Sequence, residues 1–457
     1  MDRVRSFFQK QDVSEQEYQP LNEETPIADG SSESHVEHDH DVPFSWIEYS
    51  IFTLLGVAML WAWNMFLAAA PYFQLRFQAD EWVLQSFQSA ILSVSTVTNL
   101  GTQIILTKTQ HSASYPFRIN LALYLNVAVF ALLTISTVTA LDVSPSAYLS
   151  FILVMVAFGA WAAGLIQNGA FAFAAGFGRP EYMQAIMAGQ GVAGVLPAFV
   201  QVVSVMVAPP KDHAKVPVEE NREEGKAAFI YFLAAVIMSV VALAAFIPLV
   251  QRHNRIVENR MIERMAASMT SIEESERAAR KTVGMVALFR KLHWLAGGVF
   301  VCFTVTMFFP VITPKILSVT PPEDASLLLQ PAAFIPLGFL FWNLGDLGGR
   351  TASLFFSPNQ KPALLFAVSL ARVLFLPLYA MCNLHGQGAV INSDVFYLFF
   401  VQFPFGLTNG WLASVCMIAA GDWVEEGERE ASGGFMGLCL VGGLTFGSLL
   451  SFTAAGL

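Results

Sequence analysis

Residues 341–350 read Phe-Trp-Asn-Leu-Gly-Asp-Leu-Gly-Gly-Arg and close an apolar run that begins near Pro331. The run is long enough for a membrane helix, so the carboxylate of Asp346 and the guanidinium of Arg350 lie in or at the edge of a membrane. A charge there costs roughly 2.5 kcal/mol or more unless it has a partner or faces a water-filled cavity. The two charges are one helical turn apart, and Asn343 adds an amide to the same face. We expect this face to line a solute pathway; the alternative is an ion pair that only joins helices.

The composition of the chain is that of a polytopic membrane protein. Of its 457 residues, 55% are hydrophobic and 13% are charged, and the mean hydropathy is +0.53. Soluble domains carry roughly 25% charged residues. The net charge of −10 and the lack of a basic stripe argue against a nucleic-acid partner. The four cysteines lie in apolar runs without C-x-x-C spacing, so we predict neither a disulfide framework nor a metal site.

Apolar runs long enough to cross about 30 Å of hydrocarbon recur from Trp46 onward. They lie at about 46–70, 82–107, 117–140, 147–176, 182–208, 227–250, 293–314, 330–350, 362–384, 394–420 and 431–455. The pattern predicts an all-α polytopic membrane protein with eleven transmembrane helices. We predict a disordered acidic tail, an N-terminal six-helix bundle, a cytoplasmic linker loop and a C-terminal five-helix bundle, at residues 1–45, 46–250, 251–292 and 293–457.

The acidic tail holds eleven Asp or Glu against three basic residues and lacks the apolar core of a cleaved signal peptide. Such a segment cannot bury enough apolar surface to fold alone. Its stretch Tyr18-Gln19-Pro20-Leu21 fits a tyrosine-based sorting pattern. We therefore expect a vacuolar or endolysosomal membrane rather than the plasma membrane.

The distribution of Lys and Arg predicts the orientation of the chain. With the N-terminus in the cytosol, 18 basic residues fall in the tail and the even-numbered loops, and six fall on the other side. The positive-inside rule thus places the N-terminus in the cytosol. After an odd number of crossings the C-terminus lies outside the cell or in an organelle lumen.

Further polar side chains lie inside the apolar runs. Trp63 and Asn64 lie near the end of the first run, and Gln167 and Asn168 lie in the fourth. An indole there is either an interface anchor or a stacking surface, and an amide either joins helices or faces a ligand. Arg372 lies ten residues into the ninth run and either stays buried or snorkels to the membrane edge.

Residues 189–194 read Gly-Gln-Gly-Val-Ala-Gly, which is formally a dinucleotide-binding pattern. No strand precedes it, so we interpret its glycines as a helix-packing surface around Gln190. The chain has no ATP-binding P-loop, since Gly225-Lys226 is followed by Ala227, and no nucleophile elbow or zinc-protease motif. We predict no enzyme and no cofactor, and a channel or secondary transporter is the simplest reading.

Over nearly all of residues 46–457 the chain resembles the equilibrative nucleoside transporters, and its acidic tail makes it similar to the fungal, vacuolar-type members. The matching positions are Trp63-Asn64 with Tyr72-Phe73, Gln167 with Gly169, residues 187–194, Asn343-x-x-Asp346-x-x-Gly349-Arg350, Arg372 with Pro377 and Cys382-Asn383, and Asn409-Gly410. The resemblance implies a major-facilitator-like arrangement of six plus five helices. It also implies movement of nucleosides, and sometimes nucleobases, down their gradient by alternating access.

The resemblance also implies roles for single residues. Trp63 would pack on the permeant, Gln167 would hydrogen-bond the base, and Asp346 with Arg350 would engage the ribose hydroxyls. Asn64 and Asn343 join this binding set. The remaining polar positions are assigned to helix packing or gating: Gln190, Arg372 and Asn409.

Two alternatives to uncoupled nucleoside transport stay open. One is proton-coupled nucleoside export from an acidic organelle, with a carboxylate such as Asp346 taking up the proton. The other is a receptor or scaffold with an inert cavity. Apart from the permeant and the lipid bilayer, we predict no obligate partner.

Overall fold

The computed structural model describes residues 44–109, 114–139, 141–207, 217–267, 284–321, 325–356 and 361–453. Nearly all of the predicted N-terminal tail lies outside these ranges, as does the middle of the predicted linker loop. Residues 41–457 form one compact unit. The division into two bundles stays a prediction.

Eleven helical segments coincide with the eleven apolar runs. They are α1 (Trp46–Ala68), α2 (Glu81–Lys108), α3 (Tyr115–Thr139), α4 (Pro145–Gly176), α5 (Pro180–Val207), α6 (Pro217–Ala267), α7 (Met285–Thr306), α8 (Pro331–Ala352), α9 (Pro362–Ala371), α10 (Phe403–Ala419) and α11 (Arg429–Thr453). Ten of the described helical stretches are long and apolar enough to cross a membrane. The exception is α8, whose hydropathy is lowered by Asn343, Asp346 and Arg350; its 22 residues still span about 33 Å. The prediction of an all-α polytopic membrane protein is confirmed.

Local chemistry explains where several helices begin. The Asp80 carboxylate accepts a hydrogen bond from the backbone N–H of Val83 at 3.2 Å and caps the start of α2. Proline occupies the first position of α4, α8 and α9, at Pro145, Pro331 and Pro362. Its missing N–H has no helical partner there in any case, and its fixed φ suits a helix start.

Four helices differ from the apolar runs that predict them: α6, α7, α9 and α10. Helix α7 begins at Met285, inside the predicted linker, and α10 is preceded by a π-helix at Phe396–Gln402. Helix α6 has 51 residues and continues to Ala267, so it enters the predicted linker. This extension is rich in Arg, Glu, Met and Ala, which are good helix formers although they give no apolar run. After α9 the chain makes a 3-10 turn at Arg372–Leu374 and one further helical stretch at Phe375–Ala380.

Helix α8 packs between α5 and α10, and its contact with α10 is close enough to require glycine. A Cβ atom on Gly349 would lie 2.0 Å from the carbonyl oxygen of Leu407. One on Gly410 would lie 1.9 Å from the carbonyl oxygen of Asp346. Small residues at four-residue spacing allow membrane helices to approach this closely. This contact fixes α8, and therefore its charged pair, against the rest of the bundle.

Three clusters of buried apolar side chains hold the helices together. The largest cluster lies at one end of the bundle, where odd-numbered helices begin and even-numbered helices end. It contains side chains from both halves of the chain, such as Phe52, Ile186 and Met436. At the opposite end the halves have separate clusters, one within the first six helices and one in α7–α10 with the end of α5. The two halves of the chain therefore share a buried apolar cluster at one end of the bundle only. The exception is the end of α5, which packs with the second half at the opposite end.

Candidate functional site

A cavity of about 390 Å³ lies between the two halves of the chain. This volume is within the range of roughly 300–1,000 Å³ that holds small organic ligands. Eight of the nine predicted site residues line it: Trp63, Asn64, Gln167, Gln190, Asn343, Asp346, Arg350 and Asn409. Arg372 is not among its lining residues. The sequence motifs thus converge on one cavity, and the functional role of each residue stays a prediction.

The charged pair of α8 is buried and joined to α5. Residues Asp346 and Arg350 are each 4% exposed, and Arg350 Nε donates to Asp346 Oδ2 at 2.6 Å. Arg350 Nη1 donates at 3.0 Å to Gln190 Oε1 and at 3.0 Å to the carbonyl oxygen of Met187. The guanidinium therefore links the second half of the chain to the first. Within the described ranges, Arg350 Nη2 donates no hydrogen bond.

The second carboxylate oxygen of Asp346 continues the network toward α10 and α7. Asn409 Nδ2 donates to Asp346 Oδ1 at 2.7 Å, and Asn409 Oδ1 accepts from Thr306 Oγ1 at 2.6 Å. Each carboxylate oxygen thus accepts one hydrogen bond from the protein. Because an ionised carboxylate offers about four lone-pair sites, both oxygens keep capacity for a ligand hydroxyl.

Arg372 lies behind this network in a cage of uncharged acceptors. The residue is 1% exposed, so it does not snorkel to the membrane edge. Its Nη1 donates to the carbonyl oxygen of Cys302 at 2.6 Å, and its Nη2 donates to Thr306 Oγ1 and to the carbonyl oxygen of Phe405, both at 3.2 Å. The guanidinium carbon also lies 4.7 Å from the centre of the Phe405 ring. Arg372 thus ties α7 and α10 together without reaching the cavity.

Two further amides of the binding set donate to backbone carbonyl oxygens. Asn64 Nδ2 donates to the carbonyl oxygen of Ala193 at 2.7 Å and so ties α1 to α5. Asn343 Nδ2 donates to the carbonyl oxygen of Phe339 in its own helix at 2.8 Å. A Cβ atom on Gly194 would lie 2.3 Å from Asn343 Oδ1. A larger residue at position 194 would therefore require the Asn343 amide to shift.

The adjacent amides of α4 point to different surroundings. Gln167 lines the cavity, and its Oε1 accepts from Gln103 Nε2 at 3.3 Å. In the part of the chain that the structure describes, its Nε2 has no partner. Asn168 is fully buried and its Oδ1 accepts from Arg118 Nη1 at 2.5 Å. Gln167 therefore retains a donor for a ligand, whereas Asn168 holds α3 to α4.

Trp63 also lines the cavity, and its ring is stacked on Phe66 at 5.9 Å with an interplanar angle of 13°. Sequence reasoning missed two further lining residues, Asn99 and Asn126. Asn126 is 4% exposed and makes no hydrogen bond within the described ranges; Asn99 Oδ1 is buried without a partner. Both are amides inside apolar runs, which is the same signal that singled out Gln167.

Comparisons with known proteins agree with the motifs around this cavity. A profile of the family described as nucleoside transporter matches residues 153–455. The chain is 29% identical over 449 residues to the nucleoside transporter FUN26 of Saccharomyces cerevisiae, covering 89% of this chain and 83% of the relative. It is 25% identical over 460 residues to equilibrative nucleoside transporter 1 of Homo sapiens, covering 88% of this chain and 95% of the relative.

Solved structures show the same architecture. The chain is similar to FucP, a major facilitator superfamily transporter solved in the outward conformation, with a TM-score of 0.55 and 13% identity over 90% of this chain and 95% of that chain. At this identity the likeness shows the fold alone, and it confirms the predicted major-facilitator-like architecture. Because the family profile covers about two thirds of the sequence and both relatives align with most of it, the chain belongs to the nucleoside transporter family.

Proposed function

We propose that this protein transports nucleosides by facilitated diffusion with alternating access, and that it admits free nucleobases with lower affinity. The observation that carries the proposal is the composition of the central cavity. Helix α8 supplies a paired carboxylate and guanidinium, while α1–α4 supply an indole and several amides. A nucleoside has one part suited to each of these sets.

The charged pair suits the sugar. A ribose hydroxyl donates to a lone pair left on Asp346, and Arg350 Nη2 donates to a hydroxyl oxygen. Both groups are already oriented by protein hydrogen bonds, so little side-chain entropy is lost when the sugar binds. A free nucleobase leaves this part of the cavity unused, which is why we expect it to bind more weakly.

The first-half wall suits the base. The amides of Gln167 and Asn126 offer a donor and an acceptor each, as the polar edge of a purine or pyrimidine requires. Trp63 offers an aromatic face on which the base can stack. The mixture of polar and apolar lining matches a solute that is itself half aromatic and half hydroxylated.

The packing of the two halves supports alternating access. The shared core closes the bundle at the end where α1 begins, whereas the halves have largely separate cores at the opposite end. We infer that the permeant reaches the cavity of this conformer from the opposite end. Release on the other side then requires the two halves to separate at the shared cluster. In this scheme the halves rotate about the α5–α8 contact near Arg350.

The engagement of Asp346 favours uncoupled transport over the proton-coupled alternative. Both of its oxygens accept hydrogen bonds, from Arg350 and from Asn409. Removing the negative charge of Asp346 would leave the buried guanidinium of Arg350 without its counter-charge. The inert-scaffold alternative gives no reason for unpartnered amides facing a cavity.

The test of this function is uptake into liposomes that contain the purified protein. We expect radiolabelled uridine and adenosine to equilibrate across the membrane at a rate independent of an imposed pH gradient, while labelled glucose stays outside. Accumulation above equilibrium only with the gradient would establish the proton-coupled alternative. Absence of nucleoside flux from folded protein would favour a receptor or scaffold.

Replacing Asn126 by Val is expected to raise the KM for nucleosides about 2- to 12-fold, the effect of losing one hydrogen bond worth about 0.5–1.5 kcal/mol. Thermal stability should stay the same or rise, because a buried amide without a protein partner is removed. Asn120→Val in the same helix, outside the cavity lining, is the matched control and should leave KM unchanged. Equal KM values for wild type and Asn126→Val would remove Asn126 from the site.

The protein is integral to a membrane, and we propose that this is a vacuolar or endolysosomal membrane with the N-terminus in the cytosol. The tyrosine-based sorting pattern at Tyr18–Leu21 supports this membrane, and the excess of 18 basic residues over six supports the orientation. Co-localisation of a tagged chain with plasma-membrane markers alone would contradict it.

A further inference from the structure

A second pocket, of about 640 Å³, lies at the end of the bundle where α7 and α9 begin. It is lined by Arg290–Leu295 at the start of α7, by Lys361–Leu364 at the start of α9, and by Trp423 just after α10. It shares no lining residue with the central cavity. Nucleoside transport as proposed above does not use it.

The pocket carries unbalanced positive charge. Three cations line it and no carboxylate does. Lys291 is paired with the buried Glu428, with Nζ 2.6 Å from Oε2. Within the described ranges, the exposed side chains of Arg290 and Lys361 contact no acid. Two unpaired cations in one pocket favour an anionic ligand with about two negative charges.

The surroundings of the pocket are those of a membrane interface. Trp294 and Trp423 are 42% and 43% exposed, and tryptophan is enriched at the headgroup level of membranes. Phe289 beside the pocket and Leu364 in its lining are 54% and 49% exposed on helices that enter the hydrocarbon. Apolar surface suited to acyl chains thus adjoins cations suited to a charged headgroup.

We propose that this pocket binds the headgroup of a phosphorylated inositol lipid from the surrounding membrane. A phosphomonoester carries about −1.5 to −2 charges at neutral pH, which matches the two unpaired cations better than a singly charged phosphodiester does. The volume leaves room for the inositol ring beside the phosphate. Basic pockets between membrane helices at the positive-inside face bind such headgroups in other proteins. The bound lipid would bridge α7 and α9.

Lipid binding to purified protein in phosphatidylcholine nanodiscs tests the proposal, with phosphatidylinositol 4-phosphate as the probe. We expect the double variant Arg290→Gln/Lys361→Gln to bind the probe at least tenfold more weakly than wild type. The control, Lys108→Gln/Arg255→Gln, removes two exposed cations at the same end of the bundle outside the pocket and should bind within twofold of wild type. Equal loss in both double variants would mean attraction by overall charge, and unchanged binding in Arg290→Gln/Lys361→Gln would place the lipid elsewhere; either result overturns the proposal.

A second arm separates a membrane lipid from a soluble phosphate compound. Soluble inositol 1,4-bisphosphate should compete only at concentrations at least 100-fold above those of the lipid, since it gains nothing from the apolar surface beside the pocket. Competition at equal concentration would overturn the assignment to lipid. Matching melting temperatures for all variants in lipid-free detergent would show that the loss of binding is not a folding defect. If Arg290→Gln/Lys361→Gln melts well below the control, the single variants are measured, and unchanged binding in both would overturn the proposal.

Discussion

Asp346→Asn is expected to abolish measurable nucleoside uptake and to lower the melting temperature of the purified protein. An asparagine has one acceptor oxygen, whereas Asp346 accepts from both Arg350 Nε and Asn409 Nδ2. In either orientation, the new NH2 group faces one of these N–H donors. Arg350 would also lose the carboxylate paired with it, and removing one partner of a buried ion pair costs roughly 3–5 kcal/mol.

The double variant Asp346→Asn/Arg350→Met separates the two effects. Removing both charges relieves the unpaired guanidinium, so we expect the melting temperature to recover at least in part. Uptake should stay at least about tenfold below wild type, because hydrogen bonds to charged groups contribute about 1.5–3 kcal/mol and both groups are gone. Recovery of uptake together with stability would mean that the pair only joins helices.

Gly349→Ala is expected to destabilise the protein more strongly than any other single methyl addition in α8. The new Cβ would lie 2.0 Å from the carbonyl oxygen of Leu407, and ordinary contact begins near 3.4 Å. The carbonyl oxygen belongs to the backbone of α10, and the Cβ is attached rigidly to the backbone of α8, so the two helices must separate. Overpacking typically costs about 1–3 kcal/mol, and a backbone clash lies at the upper end of that range or beyond it.

Gly348→Ala provides the matched control one residue away. Its Cβ would meet only the side-chain Cδ1 of Leu407, at 3.5 Å, which is ordinary contact. Alanine also favours helix over glycine by about 0.8–1 kcal/mol. Melting temperatures should therefore fall for Gly349→Ala and stay level or rise for Gly348→Ala. The same fall in both variants would contradict the close α8–α10 contact.

The number and position of the helices were predictable because crossing a bilayer demands about 20 apolar residues whatever their neighbours are. The continuation of α6 to Ala267 was harder to predict, since that segment has no apolar run and its helical character rests on propensity alone. The break after α9 at Arg372–Leu374 depends on tertiary packing around a buried guanidinium.

The direction in which each polar side chain points was the least predictable feature of the site. A helix that is apolar on all faces gives no sign of which face is inside. Periodicity therefore did not separate Gln167, which faces the cavity, from Asn168, which faces Arg118, and only the family resemblance singled out Gln167 of the two. For the same reason Arg372 could be placed at membrane depth but not behind Asn409. Asn99 and Asn126 were predictable from the same signal as Gln167, since each is an amide inside an apolar run.

A structure of the protein with bound uridine tests the central claim most directly. We predict density for the nucleoside in the central cavity, with ribose hydroxyls within hydrogen-bond distance of Asp346 and Arg350 and the base between Trp63 and Gln167. Uridine bound outside this cavity, or with its sugar turned toward Gln167 and no contact to α8, would contradict the claim.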